Sequence, residues 1–157
     1  MKKSHCKNLF TFAPFEWPIY PVSLQQEAFN LIFTSYSSDF NPSVIVGINE
    51  CIDQKGEIEI LFVCKEDAKP SILVQHLPAI AYVNNILLVT LPEGSSVEVG
   101  NLFANDHGVK RVLCFAVRKG MLPGFCERIR DIFHQFLSFP SIKLPDPVYK
   151  RILVDGK

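Results

Sequence analysis

Three short runs of apolar, β-favouring residues, at 58–64, 86–91 and 111–117, are separated by stretches whose apolar residues recur at helical spacing. No other feature of the chain narrows its folding options as much. A strand with one wet side alternates apolar and polar residues. The run Ile60-Leu61-Phe62-Val63-Cys64 has no polar member, so both of its faces must be covered. Buried strands that alternate with amphipathic helices define an α/β fold, here expected to be a three-layer α/β/α sandwich with a mixed central sheet.

The intervening stretches carry their own start and stop signals. Ser23 has the residue type of an N-cap, Gln26 stands where a capping box needs it, and Leu24, Ala28, Leu31 and Ile32 follow at helical spacing. Asn41-Pro42 pairs a capping side chain with a proline suited to the first helical position. Val44, Ile48, Cys51 and Ile52 then mark one face of a second helix ending near Gly56. Residues 65–69 turn the chain into a helix opening at Pro70, with Leu73, Leu77, Ile80 and Ala81 on one stripe and a bend at Pro78. Ser95 or Ser96 caps a short helix that ends in the polar loop 104–108. Gly120 and Pro123 break the chain after the third strand, and a long helix over 124–137 turns Phe125, Ile129, Ile132, Phe133 and Phe136 inward.

Residues 1–22 cannot join this pattern. Phe10, Phe12, Phe15, Trp17 and Tyr20 are interspersed with Pro14, Pro18 and Pro21, which excludes helix and central strand and predicts an extended arm lying on the parent domain or on a partner. Of the 157 residues, 48% are apolar and 20% charged, enough for one sizeable core. A single domain is therefore expected over 23–138, followed by an irregular tail at 139–157. No run reaches membrane-spanning length, and the residues after the first lysines never make the apolar stretch of a signal peptide, so a soluble, non-secreted protein is expected. Cys6, Cys51, Cys64, Cys114 and Cys126 form no Cys-x-x-Cys pair and mostly sit in apolar runs, the pattern of reduced core thiols in an intracellular protein.

Formal net charge is zero, which argues against holding nucleic acid by bulk electrostatics, so any such binding needs a local site. Lys110, Arg111, Arg118 and Lys119 bracket one short segment, and Lys2, Lys3 and Lys7 lie near the amino terminus, although charge alone suits a solvated surface equally well. In the second helix, Gly47-Ile48-Asn49-Glu50 sets bare backbone, an amide and a carboxylate off the apolar stripe. An amide can pair donor and acceptor with a base edge, a carboxylate accepts base amino hydrogens, and glycine lets a sugar-phosphate chain approach. Taken alone, the same residues also fit an ordinary solvated helix face.

Little in the sequence supports catalysis. Glu66 and Asp67, with Cys64 or His76 nearby, sketch a hydrolase, but carboxylates at a strand-to-helix turn read more simply as caps of the following helix, and His76 as a packed or capping side chain. His5, His107 and His134 have no partner at metal-ligand spacing, and there is neither a Gly-x-Gly-x-x-Gly nor a phosphate loop. No catalytic residue, metal site, cofactor or small-molecule substrate is expected.

The order of the motifs narrows the reading. It runs as a helix with Gly-x-Asn-Glu, a buried strand, Lys65-Glu66-Asp67-Ala68-Lys69-Pro70, a helix with His76-Leu77-Pro78, and a second strand. A helix ending in Val99-Gly100, a loop, and Gly108-Val109-Lys110-Arg111-Val112 before the third strand complete it. Over residues 23–138 this order resembles the kink-turn-binding ribosomal and small-nucleolar RNP protein superfamily. Leu61-Phe62-Val63-Cys64 running into Asp67, Pro70 and Leu77-Pro78 is most similar, within that superfamily, to the fungal Pop-three subunits of RNase P and RNase MRP.

The resemblance implies a non-catalytic RNA-binding subunit of the nucleus and nucleolus that supports precursor tRNA and precursor rRNA processing. Its implied partners are the RNA of RNase P, of RNase MRP or of both, together with other protein subunits, and neither a membrane nor a small molecule. By position, Gly47, Asn49 and Glu50 match the RNA-reading helix, and Val109, Lys110, Arg111 and Val112 match the loop that rests on the kinked strand. Lys69 and Leu73 fall where the family forms a pocket for an extruded nucleotide. Two positions depart from the pattern: Asp53 stands where a basic residue is usual, and Ser96 where a pocket lysine is common. An acid facing phosphate costs about 1 to 3 kcal/mol, so weak or degenerate kink-turn recognition, reinforced by protein neighbours, is expected. The rival is a protein-only scaffold that has kept the shape and lost RNA contact. Net neutrality and Asp53 favour that rival, and the intact Gly47, Asn49 and Glu50 oppose it.

Overall fold

The computed structural model describes residues 16–37 and 40–134. The three expected strands form as β2 (Ile58–Val63), β3 (Leu87–Thr90) and β4 (Cys114–Arg118). A fourth, β1 (Val44–Val46), stands where a helix face was expected. Val44 and Ile48 lie four apart, as a helix requires, but three consecutive β-branched residues lose rotamer freedom in a helix and pack better on a pleated surface. Gly47, at φ 108°, then turns the chain, and the second helix is only α2 (Ile48–Asp53). Asn41-Pro42 falls in the single 3-10 turn Asn41–Ser43 ahead of β1 and opens no α-helix.

The strand order is β1-β4-β2-β3, with β1 and β2 antiparallel to β4 and β3 parallel to β2, so the sheet is mixed. Alternation along the strands feeds two cores. Ile60, Phe62, Val89, Phe115 and Val117 face α1 (Val22–Ser35), α4 (Ser95–His107) and α5 (Pro123–Ile132). Leu61, Val63, Leu88, Cys114 and Ala116 face α2 and α3 (Leu77–Val83). The pairing of β2 with β4 shifts register between Ile58 and Ile60, and this is why two residues of equal parity serve opposite cores. At the centre, the rings of Phe62 and Phe115 stack at 4.8 Å and 14°, and burial of each contributes roughly 1.5 to 3 kcal/mol.

Helix ends depart from the local signals in consistent ways. α1 starts behind Pro21 with no side-chain cap, so Ser23 and Gln26 make no capping box, and Gln26 instead bonds Asn30 within the helix. Pro70 is extended and leads only into the turn Ser71–Leu73; α3 opens later, at Leu77, with Pro78 in its first turn, where no N–H is needed and no bend results. α4 runs through to His107, taking in most of the expected loop, and ends at left-handed Gly108, whose N–H donates to Ala104 O. β4 begins at Cys114 and not at Arg111, because the Val112 N–H is turned aside to Ser96 O at 3.0 Å. Phe125, Ile129 and Phe133 are buried as expected, while Phe136 lies outside the described residues.

Of the amino-terminal arm, residues 16–21 are neither helix nor strand. Trp17 packs on the second core, with Lys65 Nζ 5.5 Å from its ring centroid. Tyr20 packs on the first core, and its hydroxyl donates to Leu88 O of the edge strand β3 at 2.8 Å. The arm thus passes from one face of the sheet to the other and covers an edge. Phe10, Phe12 and Phe15 lie outside the described residues. Cys51, Cys64, Cys114 and Cys126 are buried and unpaired; burial, with the charge of Asp67 behind it, pushes the Cys64 thiol up to about 12.

Candidate nucleic-acid interface

Strand direction gathers the candidate residues. β1, β2 and β3 run one way and β4 the other, so the carboxyl ends of the first three and the amino end of β4 lie at the same end of the sheet. Four segments leave that end: the start of α2, residues 64–73 after β2, residues 91–96 after β3, and residues 108–113 before β4. Main-chain bonds knit them together. Gly47 N–H donates to Cys114 O at 2.9 Å, Cys64 N–H to Leu113 O at 2.8 Å and Leu91 N–H to Val63 O at 3.0 Å. Ligands of open α/β sheets commonly sit beyond such strand ends.

Asn49 and Glu50 are exposed in the first turn of α2. Gly47 precedes them, and its positive φ supplies a turn from strand to helix that other residue types make only under strain. Lys69 is exposed and Leu73 is 47% exposed, on the segment after β2. Val109 is half-buried against the first core, while Lys110 and Arg111 are exposed. Val112 is placed differently from its reading as a contact residue. Its side chain is 2% exposed, within the first core, so it supports the loop from beneath and offers no side-chain surface.

The link between the segments is a residue that sequence reasoning assigned to another role. Asp67 was expected to cap the helix that follows it, but its Oδ1 accepts the Gly94 N–H at 2.8 Å and its Oδ2 the Ser96 N–H at 2.9 Å, at the start of α4. Partial burial raises its carboxyl pKa, but the bonds from Gly94 and Ser96 and the nearby Arg111 charge outweigh this and leave it below the usual carboxylate range. Arg111 Nη2 donates to the main-chain oxygen of Asp67 at 3.2 Å and to Ser96 Oγ at 3.4 Å. Gly100 completes the arrangement, since a Cβ there would stand 2.3 Å from Lys110 O and 2.9 Å from Arg111 Cα. The backbone of the loop therefore lies directly on α4. No local signal marks Asp67 or Gly100 for these roles, because their partners are remote in sequence.

The same end of the sheet is close to electrically neutral. Glu50, Glu66, Asp67 and Glu93 offset Lys65, Lys69, Lys110 and Arg111, while Ile72 and Val97 add exposed apolar surface. Arg118 and Lys119, grouped with Lys110 and Arg111 in sequence, lie at the opposite end of β4, where Arg118 bonds Gln54 Oε1 at 2.6 Å. His76 is exposed at the start of α3 and makes no side-chain cap. Among the described residues, no group of three or more His, Cys, Asp or Glu side chains is placed to hold a metal ion.

A four-stranded mixed sheet between helical layers, with every candidate loop at one end, places the chain in the α/β/α class of the Giardia lamblia 15.5kD RNA binding protein. The likeness has a TM-score of 0.51 at 18% identity and covers 76% of this chain and 98% of that one. No curated protein sequence matches the chain. Residues 22–130 match the model of the RNase P subunit Pop3 family, and the chain belongs to that family.

Proposed function

We propose that the chain is a non-catalytic RNA-binding subunit of the RNase P particle and of the related RNase MRP particle. It binds a kink-turn-like RNA element together with neighbouring protein subunits, and serves precursor tRNA and precursor rRNA processing in the nucleus and nucleolus. Family membership supports the assignment to RNase P. The observation that carries RNA binding is the meeting of Asn49 and Glu50, Lys69 and Leu73, and the loop with Val109, Lys110 and Arg111 at one end of the sheet. The amide and carboxylate suit base edges, the lysines suit phosphate, and exposed Leu73 suits the flat face of an unstacked base. Because this surface is nearly neutral, affinity rests on shape and base contact more than on counterion release.

Filter-binding titrations of the particle RNA at two salt concentrations test the reading. Replacing Asn49 and Glu50 with Ala lowers affinity for the cognate element by roughly 1 to 3 kcal/mol per good base contact and leaves non-specific binding unchanged. Incubated with the RNA-free chain, precursor tRNA stays intact on a denaturing gel. Wild-type and variant curves that coincide would mean that the domain is held by proteins alone.

A further inference from the structure

Arg111 and Lys110 are adjacent and equally charged, yet the structure treats them differently. The Arg111 guanidinium is engaged by Asp67 O and Ser96 Oγ, while Lys110 is in no ion pair among the described residues. Asp67 ties the segment after β2 to the start of α4 with both carboxylate oxygens, and Ser96 O holds Val112 N–H, the next residue of the loop. Gly100 lets α4 act as the floor on which Lys110 and Arg111 rest. Two segments that carry candidate RNA contacts are thus closed into one unit with the start of α4 by a carboxylate, a guanidinium and a missing Cβ.

Building on the RNA-binding reading above, we propose that Asp67 and Arg111 are positioning residues. They clamp the 109–112 loop to α4, and Lys110 is the cation of that loop that meets the phosphate backbone. The assignment follows from geometry. A guanidinium nitrogen that donates to both a main-chain carbonyl and a hydroxyl is held by groups on two other segments, and this orients the loop it is attached to. An ammonium on a flexible stem that is in no ion pair among the described residues keeps its charge for a ligand. The carboxylate, in turn, accepts two backbone N–H groups at the start of α4, as side-chain oxygens do in helix caps.

The salt dependence of RNA binding separates the two roles. Lys110→Ala lowers the slope of log affinity against log salt by about 1, the mark of a lost phosphate contact. Arg111→Ala and Asp67→Asn weaken binding of the particle RNA with the wild-type slope, because they misplace the loop without removing a phosphate contact. A slope lowered by Arg111→Ala as much as by Lys110→Ala would overturn the assignment. Hydrogen exchange on the RNA-free full chain supplies the independent readout. Both Arg111→Ala and Asp67→Asn speed exchange in the 109–112 peptide by about tenfold or more, while peptides from β2 and β4 keep wild-type protection, which also reports that the variants fold. Loop exchange unchanged in both variants sinks the clamp. Failure of the wild type to bind RNA sinks the RNA reading and the role of Lys110, with loop exchange still deciding whether Asp67 and Arg111 position the segment.

Discussion

Gly100 and Gly47 show how much of the candidate interface rests on single residues without side chains. At Gly100 the constraint is contact: a methyl group would meet the Lys110 carbonyl at 2.3 Å, and both partners are backbone, so neither can swing away. Gly100→Ala is expected to cost about 1 to 3 kcal/mol, the usual range for overpacking, and to lower the melting temperature by several degrees in a calorimetric scan. A variant as stable as the wild type would show that the loop lifts from α4 without penalty. At Gly47 the constraint is the backbone itself, since an added Cβ would find only ordinary contact, at 3.7 Å from Glu50 Cγ, but φ would stay at 108°. The sequence motif Gly-x-Asn-Glu was legible, and so was the exposure of Asn49 and Glu50. The reason for its glycine was not, because positive φ is a property of the strand-to-helix turn that β1 creates.

Among the elements, β1 and the amino-terminal arm settle how the sheet is bounded. Among the described residues, β1 sits at one edge, paired with β4, and β3 at the other, paired with β2. An uncovered edge presents unpaired N–H and C=O groups. The arm answers this at β3, where Tyr20 packs 4.5 Å from the Phe133 ring and its hydroxyl bonds Leu88 O in a buried setting. Tyr20→Phe removes that hydrogen bond, keeps the ring, and leaves a buried carbonyl without this donor. The expected loss is about 1 kcal/mol, read as a lower urea midpoint with an unchanged m-value. An unchanged midpoint would show that solvent replaces the hydroxyl at no cost. Prolines and aromatics made it legible that the arm is neither helix nor central strand; that Trp17 and Tyr20 lie on opposite faces of the sheet was not, because proximity to Lys65 and to Leu88 arises only once β2 and β3 are paired.

Across the whole molecule, two carboxylates brace opposite ends of the sheet. Asp67 holds the start of α4 at the candidate interface. At the far end, Glu59 accepts the Arg130 guanidinium at 3.0 Å and Gly120 N–H at 3.3 Å. Partial burial raises the Glu59 carboxyl pKa, but these bonds and the Arg130 charge hold it below its ordinary value, as the corresponding bonds do for Asp67. A carboxyl with a folded pKa below its unfolded one contributes stability above the unfolded value, about 4 for Asp and Glu, and loses it as pH falls through the folded value. Urea midpoints of the wild type should therefore decline as pH drops below about 4, and the Asp67→Asn, Glu59→Gln double variant should show a flatter decline over the same window. Parallel curves for the two proteins would assign acid sensitivity to other groups.

What the sequence determined by itself was the set of layers. Bare apolar runs such as Ile60-Leu61-Phe62-Val63 can be satisfied only between two covering faces, and helical periodicity on either side supplies the covers, so both requirements are local and additive. The ordered motifs likewise brought Gly47, Asn49, Glu50, Lys110 and Arg111 forward as one constellation. Tertiary structure alone decided the rest. Val44-Ile45-Val46 is too short to declare itself a strand and becomes one by pairing with residues 115–117 of β4, more than 60 positions away. The course of β4 sets Arg118 at the far end of the sheet from Arg111, Val112 turns into the core ahead of it, and the parallel pairing of β2 with β3 gives Asp67 the start of α4 in place of the helix that follows it. Each outcome depends on a hydrogen bond or contact between segments remote in sequence, and residue type and spacing encode which groups can bond but not which ones the folded chain brings within reach.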